Sequence, residues 1–232
     1  DNTKFTAFDW SPKGVAIKEG RAAWSEVFSA YPVATDGYNA YFDLATKDAR
    51  LILGHEIDEY DLENKRVLID GESLHFDFLV STIPPDILCG DELGPLRFIG
   101  RDLHNIVLPM ENCFPEDVYF IYYGSSEKFT RIVEYKKFTH HQAENTLIGL
   151  EVPSFNGKHY PLPFPEDHAL ARRYHAMMPR NIFSIGRNGT YKYGVDIDDC
   201  IEQAMAIGEI IKHGGWEDPG PTPKQGELTN RI

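Results

Sequence analysis

The sequence predicts a mixed α/β protein with an antiparallel sheet, and three features support that class. Short β-type runs fill residues 51–82 and 105–152, separated by turn signals rich in Gly, Asp and Asn. Helical patterns occur at residues 38–48 and 166–178. A buried-type strand, a glycine-rich loop and an amphipathic helix then follow one another within residues 181–211.

The composition describes a folded, acidic protein. With 232 residues, 42% of them hydrophobic, and a net charge of −13, the chain can bury a core and repels polyanions. We therefore expect neither nucleic acid nor an anionic membrane surface as a partner. No apolar run approaches the roughly 18 residues of a membrane span, and no signal peptide begins the chain, so we expect a cytoplasmic location.

Cysteine and histidine patterns predict no metal site and no disulfide framework. Cys89, Cys113 and Cys200 are odd in number and form no CxxC pair, so we interpret them as reduced packing residues. His140 and His141 are adjacent on a predicted strand, where neighbouring side chains point to opposite faces, and no second histidine pair completes a site.

The first half of the chain contains one predicted helix and one predicted β-meander. Residues 1–30 show weak periodicity and look like the middle of a domain. Tyr41, Phe42 and Leu44 then predict a short helix. Three runs, LILGHEI, KRVLI and HFDFLVST, predict a meander over residues 51–82 whose last strand is apolar enough to be central.

The second half begins with four further β-type runs, NIVLPM, DVYFIYYG, TRIVEYKKF and TLIGLEV, which are spaced as a meander. We expect them to form one antiparallel sheet. A proline-rich loop at residues 153–165 leads into the predicted helix at residues 166–178. The proline- and glycine-rich end from residue 216 predicts a flexible tail.

Residues 181–211 predict a unit that holds a flat, charged ligand. A short strand leads into the turn Gly186-Arg187-Asn188-Gly189, where the backbone can approach a ligand closely, and Asp196 or Asp198 N-caps the helix that follows. That helix points its positive end at the turn. Its predicted core-facing stripe is Ile197, Ile201, Met205 and Ile211, with Gly214 and Gly215 ending it. The predicted phosphate donors are Arg187, Tyr191, Lys192 and Tyr193. Such units also occur without ligands, so the pattern alone leaves both roles open.

Several segments in order carry a family resemblance: LVSTIPPD, FTRIVEYKKF, HYPLP and SIGRNGTYKYGVDIDDCI. Together they resemble the C-terminal two-thirds of flavin-dependent UDP-galactopyranose mutases. The resemblance implies part of an FAD-binding flavoprotein fold with an antiparallel substrate-domain sheet. It also implies reduced FAD as cofactor and a UDP-sugar, UDP-galactose by family default, as substrate and partner. The family reaction interconverts pyranose and furanose rings, and the resemblance is compatible with a homodimer.

The resemblance implies three catalytic residues that also contact substrate. The family pattern R-x-x-E-x-K-x-F matches the segment that begins at Arg131, whose arginine lies beside the flavin and the substrate diphosphate. Tyr193 matches the tyrosine that contacts the diphosphate, six residues after the loop arginine. Tyr160 matches one tyrosine of the family's paired-tyrosine loop, while His159 stands in place of the other.

The resemblance also implies cofactor-binding residues around the Gly-Arg loop. Gly186 and Arg187 match the flavin-contacting loop, and Asp196, Ile197 and Asp198 match the family's Asp-Met-Asp, although one extra residue precedes them here. Further substrate contacts near the start of the chain would fall on Trp10 and on Lys18 or Arg21, at a shorter spacing than in the family.

The sequence divides into five segments with different expected roles. They are a remnant of a substrate-binding region (1–50), a β-meander of the FAD-binding domain (51–95), an antiparallel-sheet substrate domain (96–178), a C-terminal FAD-binding strand–loop–helix (179–215) and the flexible tail (216–232).

Alternatives remain open at this level. Arg131, Glu134 and Lys136 alternate along a predicted strand and could form a solvated cross-strand charge face. A related FAD oxidoreductase of the amine-oxidase or protoporphyrinogen-oxidase type would also end in a Gly-Arg loop and helix. Because the sequence contains no G-x-G-x-x-G, the chain could be a non-catalytic truncated module, and we expect it in isolation to lack FAD and activity.

Overall fold

The computed structural model describes residues 31–32, 34, 36–124 and 126–214. Contacts group them into two compact units: unit 1 holds residues 54–99 and 157–214, and unit 2 holds the described part of 31–53 together with that of 100–156. The predicted tail and most of the predicted segment 1–50 lie outside the described residues. The roles assigned to the five segments stay predictions.

Unit 1 opens with a three-stranded antiparallel meander, β1 (Ile57–Asp61), β2 (Arg66–Ile69) and β3 (Glu72–His75). The Asp61 carboxylate closes the first turn by accepting hydrogen bonds from the side chain and backbone of Asn64 and from Arg66 Nε, and these bonds lower the pKa of Asp61 to about 2. The predicted meander is therefore present, but it starts at Ile57 rather than at residue 51.

The third predicted run does not form one central strand. It divides into β3 and β4 (Leu79–Ser81), and β4 leaves the meander to pair in parallel with β10 (Ile182–Ser184). Asn181 fixes the start of this pairing, because its carbonyl accepts from Leu79 N–H at 3.0 Å and its amide donates to the Asp77 carbonyl at 2.8 Å. Because β4 and β10 are over a hundred residues apart in the sequence, local periodicity cannot predict that they pair.

Four helices complete unit 1: α2 (Pro85–Leu88), α4 (Pro165–Met177), α5 (Gly186–Gly189) and α6 (Ile197–Lys212). The predicted helix at residues 166–178 is confirmed within one residue. The cores of this unit are two clusters. One contains Leu96, Phe98, Ala171, Tyr174 and Tyr191, and the other contains Leu88, Met178 and Ile182.

Unit 2 is built on an antiparallel sheet in the order β6-β7-β8-β5. Its strands are β5 (Phe98–Leu108), β6 (Phe120–Tyr122), β7 (Arg131–Glu134) and β8 (Thr146–Ser154). Residues 98–99, the first of β5, belong to unit 1 and pair there with β9 (Tyr160–Pro161). The single antiparallel sheet is confirmed, but the simple meander is wrong, because β5 makes a nine-pair ladder with β8 instead of pairing with β6.

Two helices belong to unit 2. The predicted helix at residues 38–48 is confirmed as α1 (Asn39–Thr46). The run TRIVEYKKF is a strand only to Glu134 and then turns into α3 (Lys136–Thr139), so His140 and His141 lie beyond a helix rather than on a strand. Lys136 fixes that turn, because its amine donates to the carbonyls of Ala143 and Asn145.

The three cysteines are all free in the structure, and only some are packing residues. Cys89 is half-buried against both core clusters of unit 1, and burial, followed by the charges of Glu92 and Asp86, raises the pKa of its thiol to about 11. Cys200 is half-buried. Cys113 is exposed, so the prediction of a packing role is wrong for this residue.

In the described part of the chain, every helix is too short or too polar to cross a membrane.

Candidate functional site

The predicted Gly-Arg turn in unit 1 is held from behind by helix α6. Gly186 has a φ of +72°, a left-handed conformation that favours glycine, and its N–H donates to Gln203 Oε1 at 2.8 Å. Thr190 Oγ1 donates to the Gly186 carbonyl at 2.7 Å. At Gly189 a Cβ would lie 3.0 Å from the Ser81 carbonyl, so this glycine allows the turn to pack on β4. The sequence predicted a close approach of this turn to a ligand, whereas at Gly189 the close neighbour is the backbone of β4.

Arg187 contacts three other predicted site residues of unit 1. Its Nε donates to the Val195 carbonyl at 3.1 Å, and its Nη2 pairs with Asp196 Oδ1 at 2.8 Å. Its guanidinium carbon lies 5.3 Å from the ring centre of Tyr160 and 5.6 Å from that of Tyr193, and the two ring centres are 5.7 Å apart. We call Arg187, Tyr160, Tyr193 and Asp196 the Gly-Arg cluster. It presents a cation over two neighbouring aromatic rings, an arrangement suited to a flat, electron-rich ligand.

Asp196, rather than Asp198, begins helix α6. The Asp199 carboxylate accepts from the Asp196 backbone N–H at 2.7 Å, which satisfies one donor of the helix start. Asp198 and Ile197 follow on the exposed first turn. Carboxylates therefore already surround the positive end of this helix, so it offers less attraction to an anion than the sequence suggested.

The predicted core-facing stripe of α6 is wrong. Ile197 is 80% exposed and Met205 68% exposed, and Ile201 is also exposed. The buried side chains are Gln203 and Ile207. The side of α6 that carries Gln203 packs inward, because the amide oxygen of Gln203 accepts a hydrogen bond from the Gly186 N–H. Hydrophobic periodicity cannot predict a polar contact of this kind.

Tyr191 is a core residue, and its predicted role as a phosphate donor is wrong. Its side chain is fully buried, its hydroxyl donates to the Arg97 carbonyl, and its ring meets Phe98 edge-on at 5.2 Å. Burial raises the pKa of the Tyr191 hydroxyl.

Asn188, on the same turn, carries a buried acceptor. Its amide nitrogen donates to the Lys158 carbonyl at 3.0 Å, while its Oδ1 is buried and has no hydrogen-bond partner within the described ranges. Lys158 in turn pairs through its amine with the fully buried Asp86 at 2.6 Å. An acceptor of this kind fits a ligand N–H or an internal water.

His175 supports the turn from helix α4. Its Nε2 lies 2.8 Å from the Gly189 carbonyl, which can only accept, so the ring is the tautomer that carries hydrogen on Nε2. Burial lowers the pKa of His175, so the ring is neutral at neutral pH.

The main site in unit 2 is formed by two arginines around one carboxylate. Arg131 Nε donates to Glu151 Oε1 at 2.7 Å, and Arg101 Nη1 pairs with the other oxygen of the same carboxylate. Glu151 is 6% exposed, whereas both arginine side chains are 27% exposed. The Arg131 guanidinium carbon also lies 5.5 and 5.6 Å from the ring centres of Phe120 and Tyr122. We call Arg101, Arg131 and Glu151 the arginine cluster.

The environment of Arg131 keeps its guanidinium positively charged. Burial by itself would lower the pKa of its guanidinium, but hydrogen bonding to Glu151 and the negative charge of that carboxylate outweigh burial and raise it. The residue is therefore a fixed cation on the sheet, oriented by a bond at its Nε edge.

The charged residues that follow Arg131 do not form a solvated face, so that alternative is wrong. Glu134 is fully buried and accepts from the backbone N–H groups of Cys113 and Phe114, both at 2.8 Å, and from Thr146 Oγ1 at 2.6 Å. Burial would raise the pKa of Glu134, but these three bonds lower it. Glu134 therefore anchors a loop and takes no part in a charged surface with Arg131.

Three residues of these sites were not predicted from the sequence: Arg101, Glu151 and Gln203. A single Glu inside the apolar run TLIGLEV indicates a buried charge that needs a cationic partner, so the role of Glu151 could have been predicted from the sequence. No sequence pattern predicts the roles of Arg101 and Gln203. Trp10, Lys18 and Arg21 lie outside the described residues. Within the described ranges, no three His, Cys, Asp or Glu side chains gather as metal ligands.

Comparisons with known proteins identify one family. A family model described as UDP-galactopyranose mutase matches residues 6–193. No curated protein matches the sequence. A solved structure titled "Crystal structure of reduced UDP-Galactopyranose mutase" is similar with a TM-score of 0.65 at 16% sequence identity, over 79% of this chain and 52% of that chain. At this identity the similarity shows the fold, and the chain spans about half the length of the solved protein.

Proposed function

The chain belongs to the UDP-galactopyranose mutase family, and from that premise we propose that it is part of a flavoenzyme that interconverts the pyranose and furanose forms of a UDP-sugar. UDP-galactose is the proposed substrate. FAD, in its reduced form, supplies the nucleophile of this reaction, so no side chain of the chain needs to attack the sugar. The proposed work of the protein is to bind, orient and stabilise charge.

The observation that carries the proposal is the fixed cation at Arg131. A UDP-sugar gains negative charge on its diphosphate as the bond to the sugar breaks. Arg131 is charged, oriented by Glu151 and partly exposed, so it can donate to that developing charge without reorganising. A donor of this kind stabilises the transition state more than the ground state.

Unit 1 supplies the residues that we propose for the flavin and the sugar. Arg187 lies over two neighbouring tyrosine rings, and the buried Asn188 acceptor is on the same turn, so a flat ring with an N–H edge fits the chemistry present. We assign Arg187, with Gly186, to the flavin end of FAD. Tyr160 and Tyr193 are assigned to the substrate, and Asp196 to holding Arg187 in place.

The competing oxidoreductase function is less well supported. An amine-oxidase-type enzyme removes hydride from its substrate and needs no cation for a diphosphate. The paired arginines of unit 2 have no role in that chemistry, whereas they suit a nucleotide sugar.

Turnover by a longer polypeptide that adds a strand–GxGxxG–helix unit and retains FAD tests this proposal. We expect Arg131→Ala to lower the conversion of UDP-galactofuranose by on the order of 10² or more, with the flavin spectrum nearly unchanged. Arg66→Ala is the matched control, because Arg66 is also paired with a carboxylate, Asp61, at 2.7 Å. An Arg131→Ala protein that turns over at the parent rate contradicts the assigned role, and a parent protein without conversion supports the non-catalytic module.

A further inference from the structure

The sequence contains two Asn-Gly pairs, Asn156-Gly157 and Asn188-Gly189, and the structure gives them different surroundings. The backbone nitrogen of the glycine in such a pair can attack the side-chain amide carbon of the asparagine, because glycine has no side chain to hinder the approach. The attack succeeds only where the backbone can bring the nitrogen onto that carbon. Exposure and hydrogen bonding therefore decide which of the two asparagines reacts.

Asn156-Gly157 lies in the exposed turn that follows β8. Both residues are exposed, and the side chain of the preceding Phe155 is 89% exposed. Gly157 has a φ of +76°, a left-handed conformation that glycine adopts in turns. Within the described ranges the Gly157 N–H donates to no other group, so neither a helix nor a strand holds the attacking nitrogen.

One side-chain hydrogen bond restrains the Asn156 amide. Its Nδ2 donates to Asp102 Oδ1 at 2.9 Å, and its backbone N–H donates to Ser154 Oγ at 3.2 Å. The bond from Asn156 lowers the pKa of Asp102, so the acceptor is a carboxylate at neutral pH. Because the bond lies at the surface, it opens readily and releases the amide for attack.

Asn188-Gly189 is held inside helix α5 and is protected. Gly189 is buried, and a Cβ there would lie 3.0 Å from the Ser81 carbonyl, so the backbone at this position has no room to rotate. The Asn188 amide nitrogen donates to the Lys158 carbonyl at 3.0 Å, and its Oδ1 is buried. Attack at Asn188 therefore requires the Gly-Arg turn to unfold first.

We propose that Asn156 is a site of spontaneous deamidation and that the backbone nitrogen of Gly157 is the nucleophile. A bond forms between this nitrogen and Asn156 Cγ, the Cγ–Nδ2 bond breaks, and Nδ2 leaves as ammonia with the proton that the Gly157 nitrogen loses. Water then opens the cyclic imide. Its hydroxyl adds to Cγ to give aspartate, or to the backbone carbonyl carbon of Asn156 to give isoaspartate, and its proton returns to the nitrogen.

Deamidation loosens the end of the β5–β8 ladder. The reaction replaces the donor that binds Asp102 with a second carboxylate, and the two like charges repel each other. Asp102 lies on β5, one residue after Gly100, which pairs with Ser154 at the end of this ladder. Loss of the bond therefore lets the last pairs of the ladder open more often. Isoaspartate also adds one carbon atom to the backbone of the turn.

Peptide mass spectrometry after warm incubation of the 232-residue chain in mildly alkaline buffer tests the site. We expect conversion at Asn156 to be faster than at Asn188 by about tenfold or more, because only Asn188 needs prior unfolding. In concentrated urea the two rates should become similar, since both turns are lost. Conversion at Asn188 that equals or exceeds that at Asn156 in the native protein overturns the proposal, as does an Asn156 that stays intact.

Two substitutions test the mechanism and its consequence. Asn156→Gln keeps an amide donor but needs a larger ring for attack by the next nitrogen, so residue 156 should stay unconverted and exchange of the backbone amides in the β5–β8 ladder should match the parent. Asn156→Asp carries the product charge from the start, so amides near Gly100 should exchange faster than in the parent. Equal exchange in Asn156→Asp and Asn156→Gln overturns the proposed loosening, and conversion of Asn156→Gln at the parent rate overturns the cyclic mechanism.

Discussion

At the scale of residues, the partners of a buried carboxylate decide its role. Glu134 and Glu151 are both buried on the unit 2 sheet. Glu134 is satisfied by two backbone N–H groups and a threonine hydroxyl, so it fixes a loop and attracts no further charge. Glu151 is satisfied by two guanidiniums, so it orients two cations on the sheet. The same residue type therefore fixes a loop in one case and holds two arginines in the other.

His175 predicts a pH dependence of stability. Because burial lowers its folded-state pKa, the unfolded chain binds the proton more readily, so stability rises with pH. Its contribution is complete above the ordinary value of about 6.5 and is lost as the pH falls below it. We expect His175→Gln, which keeps an N–H donor for the Gly189 carbonyl but cannot titrate, to lose less stability than the parent between about pH 7.5 and 5.5.

Urea unfolding followed by circular dichroism at several pH values measures this effect. His141→Gln, the same substitution at an exposed position, is the matched control. Burial also lowers the pKa of His168, so some slope remains in His175→Gln. Equal slopes for His175→Gln and the parent would show that the buried ring does not resist protonation.

At the scale of elements, one glycine sets the packing of the central strand β8. Gly149 lies two residues before Glu151, and a Cβ there would come within 2.8 Å of carbon atoms in the Tyr135 ring. We expect Gly149→Ala to destabilise the protein by about 1–3 kcal/mol, although alanine suits a strand better than glycine does, because the ring must move. Thermal or urea unfolding gives the value.

A matched substitution and a double variant test the cause. Gly124→Ala should cost little, because no atom of the part of the chain that the structure describes lies within 4 Å of a Cβ there. Tyr135→Ser combined with Gly149→Ala should be less destabilised than the sum of the single variants, since removing the ring removes the clash. Strict additivity would mean that some other contact causes the loss.

At the scale of the whole molecule, the donors that FAD pyrophosphate needs are not assembled in the described part of the chain. Flavoproteins of this type hold the pyrophosphate on a glycine-rich loop and the start of its helix, and the sequence contains no G-x-G-x-x-G. The Gly186 N–H is already donated to Gln203, and the first turn of α6 is acidic. The remaining contacts are those proposed for the flavin ring.

We therefore expect the 232-residue chain, incubated with excess FAD, to leave a gel-filtration column without flavin absorbance. The chain spans 52% of the solved family structure, so a polypeptide that adds a strand–GxGxxG–helix unit should retain the cofactor. In that polypeptide, Arg187→Ala should weaken retention of FAD while Arg66→Ala should not. A 232-residue chain that carries stoichiometric FAD through the column would refute the expectation.

The sequence by itself determined the local elements and the family. Periodicity and turn residues predicted α1, α4, α6, the first meander and the antiparallel sheet, because these depend on contacts between near neighbours in the chain. Motif order identified the family, which the family model confirms over residues 6–193. The assignments of Arg131, Tyr160, Arg187 and Tyr193 to substrate and cofactor remain predictions.

Only the tertiary structure decided which faces and partners these elements have. The pairing of β4 with β10 and of β5 with β8 joins residues far apart in the chain, so no local pattern specifies it. The exposed side of α6 was set by the bond from Gly186 to Gln203, and the pairing of β5 with β8 brought Arg101 to Glu151. Burial and electrostatics are sums over neighbours in space, and the chain reveals those neighbours only once it has folded.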